Sequence, residues 1–341
     1  MSAILDIERP DALLDYLRRA GHIPADEQPV IRNLAGGVSN RTVLVERPSG
    51  EAWVLKQALK KLRVAVEWYS SPERIHREAL GMRWLAQLAP PGASTRLIFE
   101  DHVHHLLAME AVPQPHENWK TMLLAGHLET DHVEQFGRLL GAIHRAAYAG
   151  RDQIAVAFND RSFFETLRIE PYYVYTWMQI PETAQFYDAL ISETRARRLT
   201  LVHGDYSPKN ILVYQGRMVL LDHEVIHFGD PAFDLGFALA HLLSKAHHVY
   251  DMRAAFASAA GAYWRAYRAA LGGVPWSYDI EPRTVRHTLG CLLARVAGRS
   301  TLEYMNGEER ACQRRVAITL MAQPPVSVGE LAGRFVALLG I

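Results

Sequence analysis

The sequence contains little cysteine and no excess of either charge. Its two cysteines, Cys291 and Cys312, cannot form a disulfide framework, and their scarcity fits a reducing compartment. The 37 basic and 37 acidic side chains cancel, so the chain has no general attraction to nucleic acid or to an anionic membrane. With 49% hydrophobic residues, the composition is that of a folded protein and argues against disorder.

Long hydrophobic runs are missing as well. The longest apolar patch, 233–243, is interrupted by Asp234 and His241 and is shorter than the roughly 18 residues that a membrane-spanning helix requires. The N-terminal segment shows no basic start followed by an apolar run, so we do not expect a secretory signal. We therefore predict a cytoplasmic protein without membrane or nucleic-acid partners. The pattern says nothing about its oligomeric state.

The first third of the chain shows the patterning of a small β-rich lobe. Five short segments rich in apolar residues end at turn residues, and two segments have helical spacing. The predicted strands are 30–34, 41–46, 52–57, 96–100 and 105–110, and the predicted helices are 11–20 and 72–88. His102, His104 and His105 fall between the last two strands, where a turn explains them better than a metal site. We predict an N-terminal lobe over 1–110 and a hinge over 111–116, which contains two prolines.

The remainder of the chain is mostly helical in pattern. A short β section at 201–221 interrupts a series of amphipathic segments. The predicted helices are 131–149, 184–198, 233–246, 252–271, 282–297, 308–321 and 328–339. The length of 341 residues exceeds what one hydrophobic core usually serves. The predicted fold class is therefore α+β, with a larger, mainly helical lobe over 117–341.

Three oxygen-bearing side chains are spaced so that a hairpin can bring them together. Asp205 and Asn210 lie on one loop, in the run His203-Gly-Asp-Tyr-Ser-Pro-Lys-Asn, and Asp222 ends the following strand. Hard oxygen ligands of this kind suit Mg²⁺, which takes the rest of its shell from water and phosphates. A carboxylate left off the metal could accept the proton of an attacking hydroxyl. These residues predict phosphoryl transfer.

The first lobe offers groups that could hold a phosphate donor. The turn at 36–40, Gly-Gly-Val-Ser-Asn, lets a backbone without Cβ approach phosphates closely. Lys56 lies near the end of a strand, and Glu78 lies in the following helix, so the two could form an ion pair that points the ammonium at the phosphates. Two alternatives stay open: Lys56 could be an ordinary solvated lysine, and Arg74 or Arg77 could pair with Glu78 instead.

Together these motifs resemble those of the aminoglycoside phosphotransferase family, which includes choline kinases and methylthioribose kinase. The resemblance covers roughly residues 30–300 and depends on His-Gly-Asp-x₄-Asn, the strand-end Asp, the Gly-rich hairpin and the strand Lys. It implies a bilobal protein-kinase-like fold and an ATP-dependent kinase that phosphorylates a hydroxyl of a small molecule. It also implies Mg²⁺ and ATP as cofactors, with GTP as a possible alternative to ATP.

The resemblance further implies roles for individual residues. Asp205 matches the catalytic base, and Asn210 and Asp222 match the Mg²⁺ ligands. The nucleotide-binding positions are Gly37, Ser39 and Asn40 in the loop, Lys56 with Glu78, and Glu110 and Val112 in the hinge. His203 and Asp234 match residues that brace the catalytic loop.

The sequence also departs from protein kinases. The strand-end motif is Asp222-His-Glu224 in place of Asp-Phe-Gly, and an activation segment is missing, which disfavours a kinase acting on Ser/Thr. Position 207 is Ser where protein kinases carry Lys. Lys209 could reach the γ-phosphate or be solvated, and Glu224 could join the metal region through water or play no part in it.

The acceptor is less well defined. Segment 55–64 is similar to methylthioribose kinase, whereas the loop at 206–210 is of the general family type. Candidate acceptor contacts are Trp177, Arg295 and Arg299; Arg295 could bind a hydroxyl-rich or anionic group or simply bridge helices. The last helices show no acidic cluster, which favours a sugar, an amino alcohol or another small metabolite over a cationic aminoglycoside. The alternative is a catalytically silent kinase-like nucleotide-binding or scaffold protein.

Overall fold

A five-stranded antiparallel sheet forms the first part of the computed structural model, which describes residues 5–35, 38–63 and 67–340. The strand order is β1-β2-β3-β5-β4. The strands are β1 Val30–Asn33, β2 Asn40–Glu46, β3 Ala52–Ala58, β4 Leu97–Asp101 and β5 Leu106–Glu110, and the helices of this part are α1 Pro10–Arg19 and α2 Arg74–Leu88. One helix covers each face of the sheet.

The alternation of side chains along the strands explains this layering. Leu106 and Ala108 of β5 pack in one cluster with Leu13 of α1, whereas Leu107 and Met109 pack in a second cluster. The second cluster also contains Ile75, Ala79 and Met82 of α2. Successive side chains of a strand point to opposite faces, so a strand that is buried on both sides needs an apolar residue at every position. That requirement places α2, and with it Glu78, against the sheet.

The second part of the chain is mainly helical. Its strands are β6 His116–Asn118, β7 Thr200–Val202, β8 Ile211–Tyr214, β9 Arg217–Leu220 and β10 His227–Gly229. Its helices are α3 Trp119–Leu124, α4 Thr130–Ala149, α5 Arg151–Phe158, α6 Ser162–Phe164, α7 Tyr175–Gln179, α8 Ala184–Ala196, α9 Ala232–His248, α10 Arg253–Leu271, α11 Ile280–Ala297, α12 Gly307–Ala322 and α13 Val328–Leu338. A π-helix, Glu165–Val174, joins α6 to α7.

Helix α9 lies at the centre of the helical part. Every residue from Ala232 to His247 is buried, because α10 and α11 pack against it. Helices α4 and α10 approach each other closely at Gly137 and Gly141 of α4. A Cβ on Gly137 would lie 2.4 Å from a backbone oxygen of α10. Close helix contact of this kind requires residues without side chains.

The structure confirms the predicted α+β class, with a β-rich first part and a helical second part. It also shows the predicted turn between β4 and β5, where Asp101 accepts hydrogen bonds from the backbone of Val103 and His104. Several short elements were not predicted, among them β6, which begins inside the expected hinge, and the π-helix, which contains Pro171. In the part of the chain that the structure describes, no helix has the length and hydropathy needed to cross a membrane.

Candidate active site

A tight loop after β7 carries Asp205. The backbone N–H groups of His203 and Gly204 both donate to the carboxylate of Asp234 at 2.7 Å, and Asp234 is fully buried in the first turn of α9. Gly204 has a φ of 77°, and a Cβ there would lie 2.9 Å from the carbonyl oxygen of Val225. Only glycine adopts this backbone conformation at so little cost. Asp234 and the glycine turn together hold Asp205 in place.

The hairpin of β8 and β9 brings Asn210 and Asp222 to the same loop. Asn210 Nδ2 donates to the Asp205 carboxylate at 2.7 Å and to the Asp205 carbonyl at 2.9 Å. The N–H of Leu221 donates to the carbonyl of Asn210 at 2.9 Å, which holds the end of β9 against the loop. Asp222 follows with a φ of 68°, a left-handed conformation that is rare for residues other than glycine and is common at functional sites. The structure therefore brings these three side chains together.

Lys56 connects the sheet to this loop. Its ammonium lies 2.7 Å from Glu78 Oε1 on α2 and 2.9 Å from Asp222 Oδ1. Burial disfavours the charged lysine, but the carboxylates of Asp222 and Glu78 outweigh it and raise the pKa of Lys56. Burial likewise opposes ionisation of Asp222, yet Lys56 and Lys209 lower its pKa. Lys56 and Asp222 are therefore charged at neutral pH.

The turn before β2 lies beside these groups. Ser39 and Asn40 are buried, and Asn40 Nδ2 donates to Ser39 Oγ at 3.3 Å. The carbonyl of Ser39 accepts from the N–H of Leu59 at 3.0 Å, so the turn is fastened to the end of β3. Gly37, the other predicted residue of this turn, lies outside the described residues.

Arg74, which the sequence did not single out for the site, ties several of these segments together. Its side chain is fully buried, and Nε lies 3.0 Å from Glu224 Oε2. The guanidinium also donates to the backbone carbonyls of Ser39, Leu59 and Ser71. Arg74 therefore connects the glycine-rich turn to the segment after Asp222. The sequence suggested Arg74 only as a possible partner of Glu78, near the start of a predicted helix.

These contacts decide one alternative that the sequence left open, the partner of Glu78. Arg74 pairs with Glu224, and Arg77 pairs with Asp160 at 3.1 Å, so neither arginine takes Glu78. Glu224 is buried and forms an ion pair with Arg74. The side chain of Lys209 is exposed beside Asn210.

The expected hinge follows β5. The N–H of Glu110 donates to the carbonyl of Arg96 at 2.9 Å, and the Glu110 side chain pairs with the same arginine. The carbonyl of Val112 faces His116 Nδ1 at 3.0 Å. The N–H of Val112 donates to no group in the described part of the chain. One backbone donor is thus open at this position.

Arg168 is the second residue that sequence reasoning missed. It lies on the π-helix, is buried, and places Nη2 3.0 Å from Asp205 Oδ1 and Nε 2.7 Å from the carbonyl of Gly204. Asp205 therefore accepts from Arg168 on one oxygen and from Asn210 on the other. An arginine inside an unpredicted helix 37 positions upstream gives no local signal of such a contact.

The three candidate acceptor residues have different surroundings. Arg295 is buried and donates to the hydroxyl of Tyr172 at 3.1 Å and to Ser300 Oγ at 2.9 Å. Arg299 lies over the ring of Tyr175, with its Cζ 5.0 Å from the centroid. Trp177 is half-buried and packs against the hydrophobic core. Arg295 is the one of the three that the contacts link to the loop of Asp205, through Tyr172 and Arg168.

The arrangement as a whole has the groups that phosphoryl transfer requires. Two ligand oxygens, Asn210 Oδ1 and the Asp222 carboxylate, flank the paired strands β8 and β9, and Asp222 contacts a buried ammonium. Such oxygens are the ligands that Mg²⁺ prefers, and an ammonium next to them suits the phosphates that usually complete its shell. Asp205, one position away from the loop glycine, is a carboxylate held by two donors and placed to accept a proton.

Comparisons with known proteins give a family and a fold. The model of the phosphotransferase enzyme family matches residues 30–275. No curated protein sequence matches the chain. Several solved structures do, over nearly the whole chain.

Three of these structures illustrate the likeness. The macrolide 2′-phosphotransferase of Brachybacterium faecium is 20% identical, over 92% of this chain and 99% of its own, with a TM-score of 0.52. A choline/ethanolamine kinase family protein of Mesorhizobium loti is 16% identical, over 96% and 98%, with a TM-score of 0.55. An amicoumacin kinase in complex with AMP-PNP and Ca²⁺ is 15% identical, over 92% and 94%, also with a TM-score of 0.55. At these identities the likeness shows the fold, and the expected bilobal kinase-like fold is confirmed.

Proposed function

The chain belongs to the phosphotransferase enzyme family and is a small-molecule phosphotransferase; we propose that it moves the γ-phosphate of ATP to a hydroxyl group of its acceptor. In this proposal residues 1–110 hold the nucleotide, 111–116 form the hinge, and 117–341 carry the catalytic loop and the acceptor site. The observation that supports it most directly is Lys56, whose ammonium lies 2.7 Å from Glu78 and 2.9 Å from Asp222.

The contacts of Lys56 with Glu78 and Asp222 support a nucleotide site because they connect the two lobes. Lys56 and Asp222 lie 166 positions apart in the chain. A buried ammonium between two carboxylates is cationic and fixed, as a phosphate clamp requires. The turn with Ser39 and Asn40 lies at the end of the same strand pair, in register with Ala58. We propose that this turn, with Gly37, covers the phosphates, and that the hinge backbone at Glu110 and Val112 receives the base. The proposal names ATP because it is the commoner phosphate donor. GTP would use the same phosphate contacts.

Asn210 and Asp222 would hold the divalent cation, which we propose to be Mg²⁺. The donor set fits, since both offer hard oxygens and Asn210 already uses its Nδ2 on Asp205, which leaves Oδ1 for a ligand. When bound, the ion would neutralise charge on the phosphates. The amicoumacin kinase of similar fold was solved with AMP-PNP and Ca²⁺, which supports nucleotide and divalent cation use at this kind of site.

Asp205 is the proposed catalytic base. Its two oxygens accept from Arg168 at 3.0 Å and from Asn210 at 2.7 Å, so the carboxylate has one orientation. It would orient the acceptor hydroxyl and take its proton late, because the transition state of phosphoryl transfer is loose. Most of the rate enhancement then comes from positioning and charge neutralisation.

Two isosteric substitutions test this division of roles. Asp205→Asn should bind Mg·ATP as the unmodified protein does but lose phosphate transfer by roughly 10²–10⁴-fold, whereas Asp222→Asn should lose the Mg²⁺-dependent part of ATP binding. Calorimetry with Mg·ATP measures nucleotide binding by each variant. ATP consumption over a panel with methylthioribose, choline, homoserine and aminoglycosides measures phosphate transfer. Asp188→Asn, an exposed aspartate on α8, is the matched control.

Two results would contradict the proposal. Full transfer activity in the Asp205 variant would remove that residue from its role. Mg·ATP binding by the unmodified chain without transfer to any hydroxyl compound would favour the alternative of a catalytically silent nucleotide-binding protein.

A further inference from the structure

A buried cationic cluster lies close to the proposed base. Its central member is Lys245 on α9, whose side chain is fully buried. In the described residues its Nζ donates to the backbone carbonyl of His241 at 3.3 Å and lies 5.5 Å from the ring of Tyr304. No carboxylate of the described residues lies within 4.0 Å of it. The nearby acid, Glu303, is paired with Lys120.

Arg295 is the second cation of this cluster. It is buried on α11, and its hydrogen bonds go to Tyr172 and Ser300, which are neutral. Its Nε is buried without a partner in the part of the chain that the structure describes. Lys245 and Arg295 are therefore two buried basic side chains with no carboxylate of the described residues within 4.0 Å. An uncompensated buried charge is costly, and proteins normally pair such groups or use them.

Aromatic side chains connect this cluster to Asp205. Arg168 contacts Asp205 at 3.0 Å, and its Cζ lies 5.6 Å from the ring centroid of Tyr172. The Cζ of Arg295 lies 5.6 Å from the same ring. On the other side, the Tyr172 ring lies 5.7 Å from Phe237, one turn before His241 on α9. Arg295 is thus one aromatic ring removed from Arg168, the arginine that contacts the proposed base.

The electrostatics of the cluster favour a bound anion. Burial, together with the charges of Lys120 and Arg295, lowers the pKa of Lys245 to about 7, although Glu303 acts in the opposite direction. Burial and the same cations also lower the pKa of His241 well below its usual value. A carboxylate or phosphate beside Lys245 would stabilise its charged form. A cationic acceptor would be repelled.

We propose that the acceptor of this kinase carries an anionic group, a carboxylate or a phosphate, which Lys245 and Arg295 bind while the acceptor's hydroxyl faces Asp205. The inference rests on the proposed function. The hydroxyl oxygen bonds to the γ-phosphorus, the bond from that phosphorus to the β-phosphate oxygen breaks, and the hydroxyl proton passes to Asp205. The products are a phosphate ester and ADP, and the anionic group is unchanged.

Matched pairs of acceptors test the inference. The carboxylate arm compares D-glycerate with glycerol and D-gluconate with D-glucitol, and the phosphate arm compares glycerol 1-phosphate with glycerol. We expect the anionic member of at least one arm to have a kcat/KM at least tenfold higher than its neutral partner, and choline to be inert. The arm that reacts identifies the anion. Equal turnover of neutral or cationic alcohols would overturn the inference while leaving the kinase activity intact.

Lys245→Met separates a binding role from a structural one. The variant should raise the KM for the anionic acceptor at least tenfold with little change in kcat or in the KM for Mg·ATP. An unchanged acceptor KM would overturn the inference. Lys60→Met, at an exposed position, is the control for loss of one lysine.

The test remains decisive if no compound of the panel reacts. Calorimetry with sulfate then probes the cluster directly: binding that Lys245→Met abolishes supports the inference, and binding that is absent or unaffected overturns it. Failure of the unmodified protein to bind Mg·ATP would instead contradict the proposed function itself.

Discussion

Replacing Lys245 with methionine removes a buried charge and leaves an unbranched side chain that is one atom shorter, so it measures what that charge costs the fold. The groups that face Lys245 are Lys120 on α3, Arg295 on α11, Glu303 after α11 and His241 on its own helix. Burial and the first two of these lower its pKa from 10.5 to about 7. Each pKa unit is worth about 1.4 kcal/mol, so the charged lysine costs the folded state about 5 kcal/mol below pH 7.

The sign of the pH dependence follows from this shift. Because the unfolded chain holds the proton more tightly than the folded one, the cost is complete below pH 7 and disappears as the pH rises towards 10.5. The methionine variant should therefore be more stable than the unmodified protein by about 5 kcal/mol at pH 6 and by about 2 kcal/mol at pH 9. Lys245 contributes to the lowered pKa of His241, so the difference at pH 8 and 9, where His241 is neutral in both the folded and the unfolded chain, reports on Lys245 alone.

Urea denaturation at pH 6, 7, 8 and 9 measures this difference directly. Lys60→Met should show no such pH dependence. A constant difference between Lys245 and methionine across this range would refute the reasoning, because it would mean that Lys245 is paired in the folded state. A methionine variant that is less stable at pH 6 would refute it as well.

Three further substitutions have defined outcomes. Arg74→Met should destabilise the fold by roughly 3–5 kcal/mol because it leaves Glu224 buried and unpaired, and Glu224→Gln in the same chain should recover part of this loss in urea denaturation; strictly additive effects would argue against the pair. Arg168→Met should lower kcat for phosphate transfer more than it changes the KM for ATP, since it frees the proposed base, and an equal loss of nucleotide affinity in steady-state kinetics would assign it another role. Gly137→Ala should lower the free energy of unfolding by roughly 1–3 kcal/mol or more, because its Cβ would lie 2.4 Å from a carbonyl oxygen of α10. Its control is Gly333→Ala, whose Cβ would meet nothing within 4 Å and which should be neutral or slightly stabilising in thermal unfolding.

Two ion pairs join the lobes beside the proposed nucleotide site. Lys56 reaches Asp222, and Arg74 reaches Glu224 two residues further on. Both acids therefore tie the segment after β9 to α2 and the sheet. The residues from His223 to Asp230 are buried and lead into α9 at Ala232, so a long mobile activation segment has no place here. This agrees with the departure from protein kinases seen in the sequence.

The sequence by itself determined the elements and the residues whose chemistry is carried by local spacing. The strands of the sheet, α2, α4 and the hairpin at 211–220 follow from apolar periodicity and turn residues, which act over a few positions. The run from His203 to Asn210 is also local, because a single loop holds its carboxylate and amide. Short or irregular elements escaped prediction, since the π-helix with Pro171 is stabilised by packing against the core and contradicts local propensity.

Tertiary structure alone decided which distant groups meet. Nothing in the pattern pairs Arg168 with Asp205 or Arg74 with Glu224, because these contacts join elements that are 37 and 150 positions apart. The isolation of Lys245 is equally invisible in the sequence, where a lysine near the end of a helix looks like an ordinary solvated residue. Burial depends on what all the neighbouring helices cover, and the energy of a charge depends on burial and on every charge nearby, so both are properties of the folded chain.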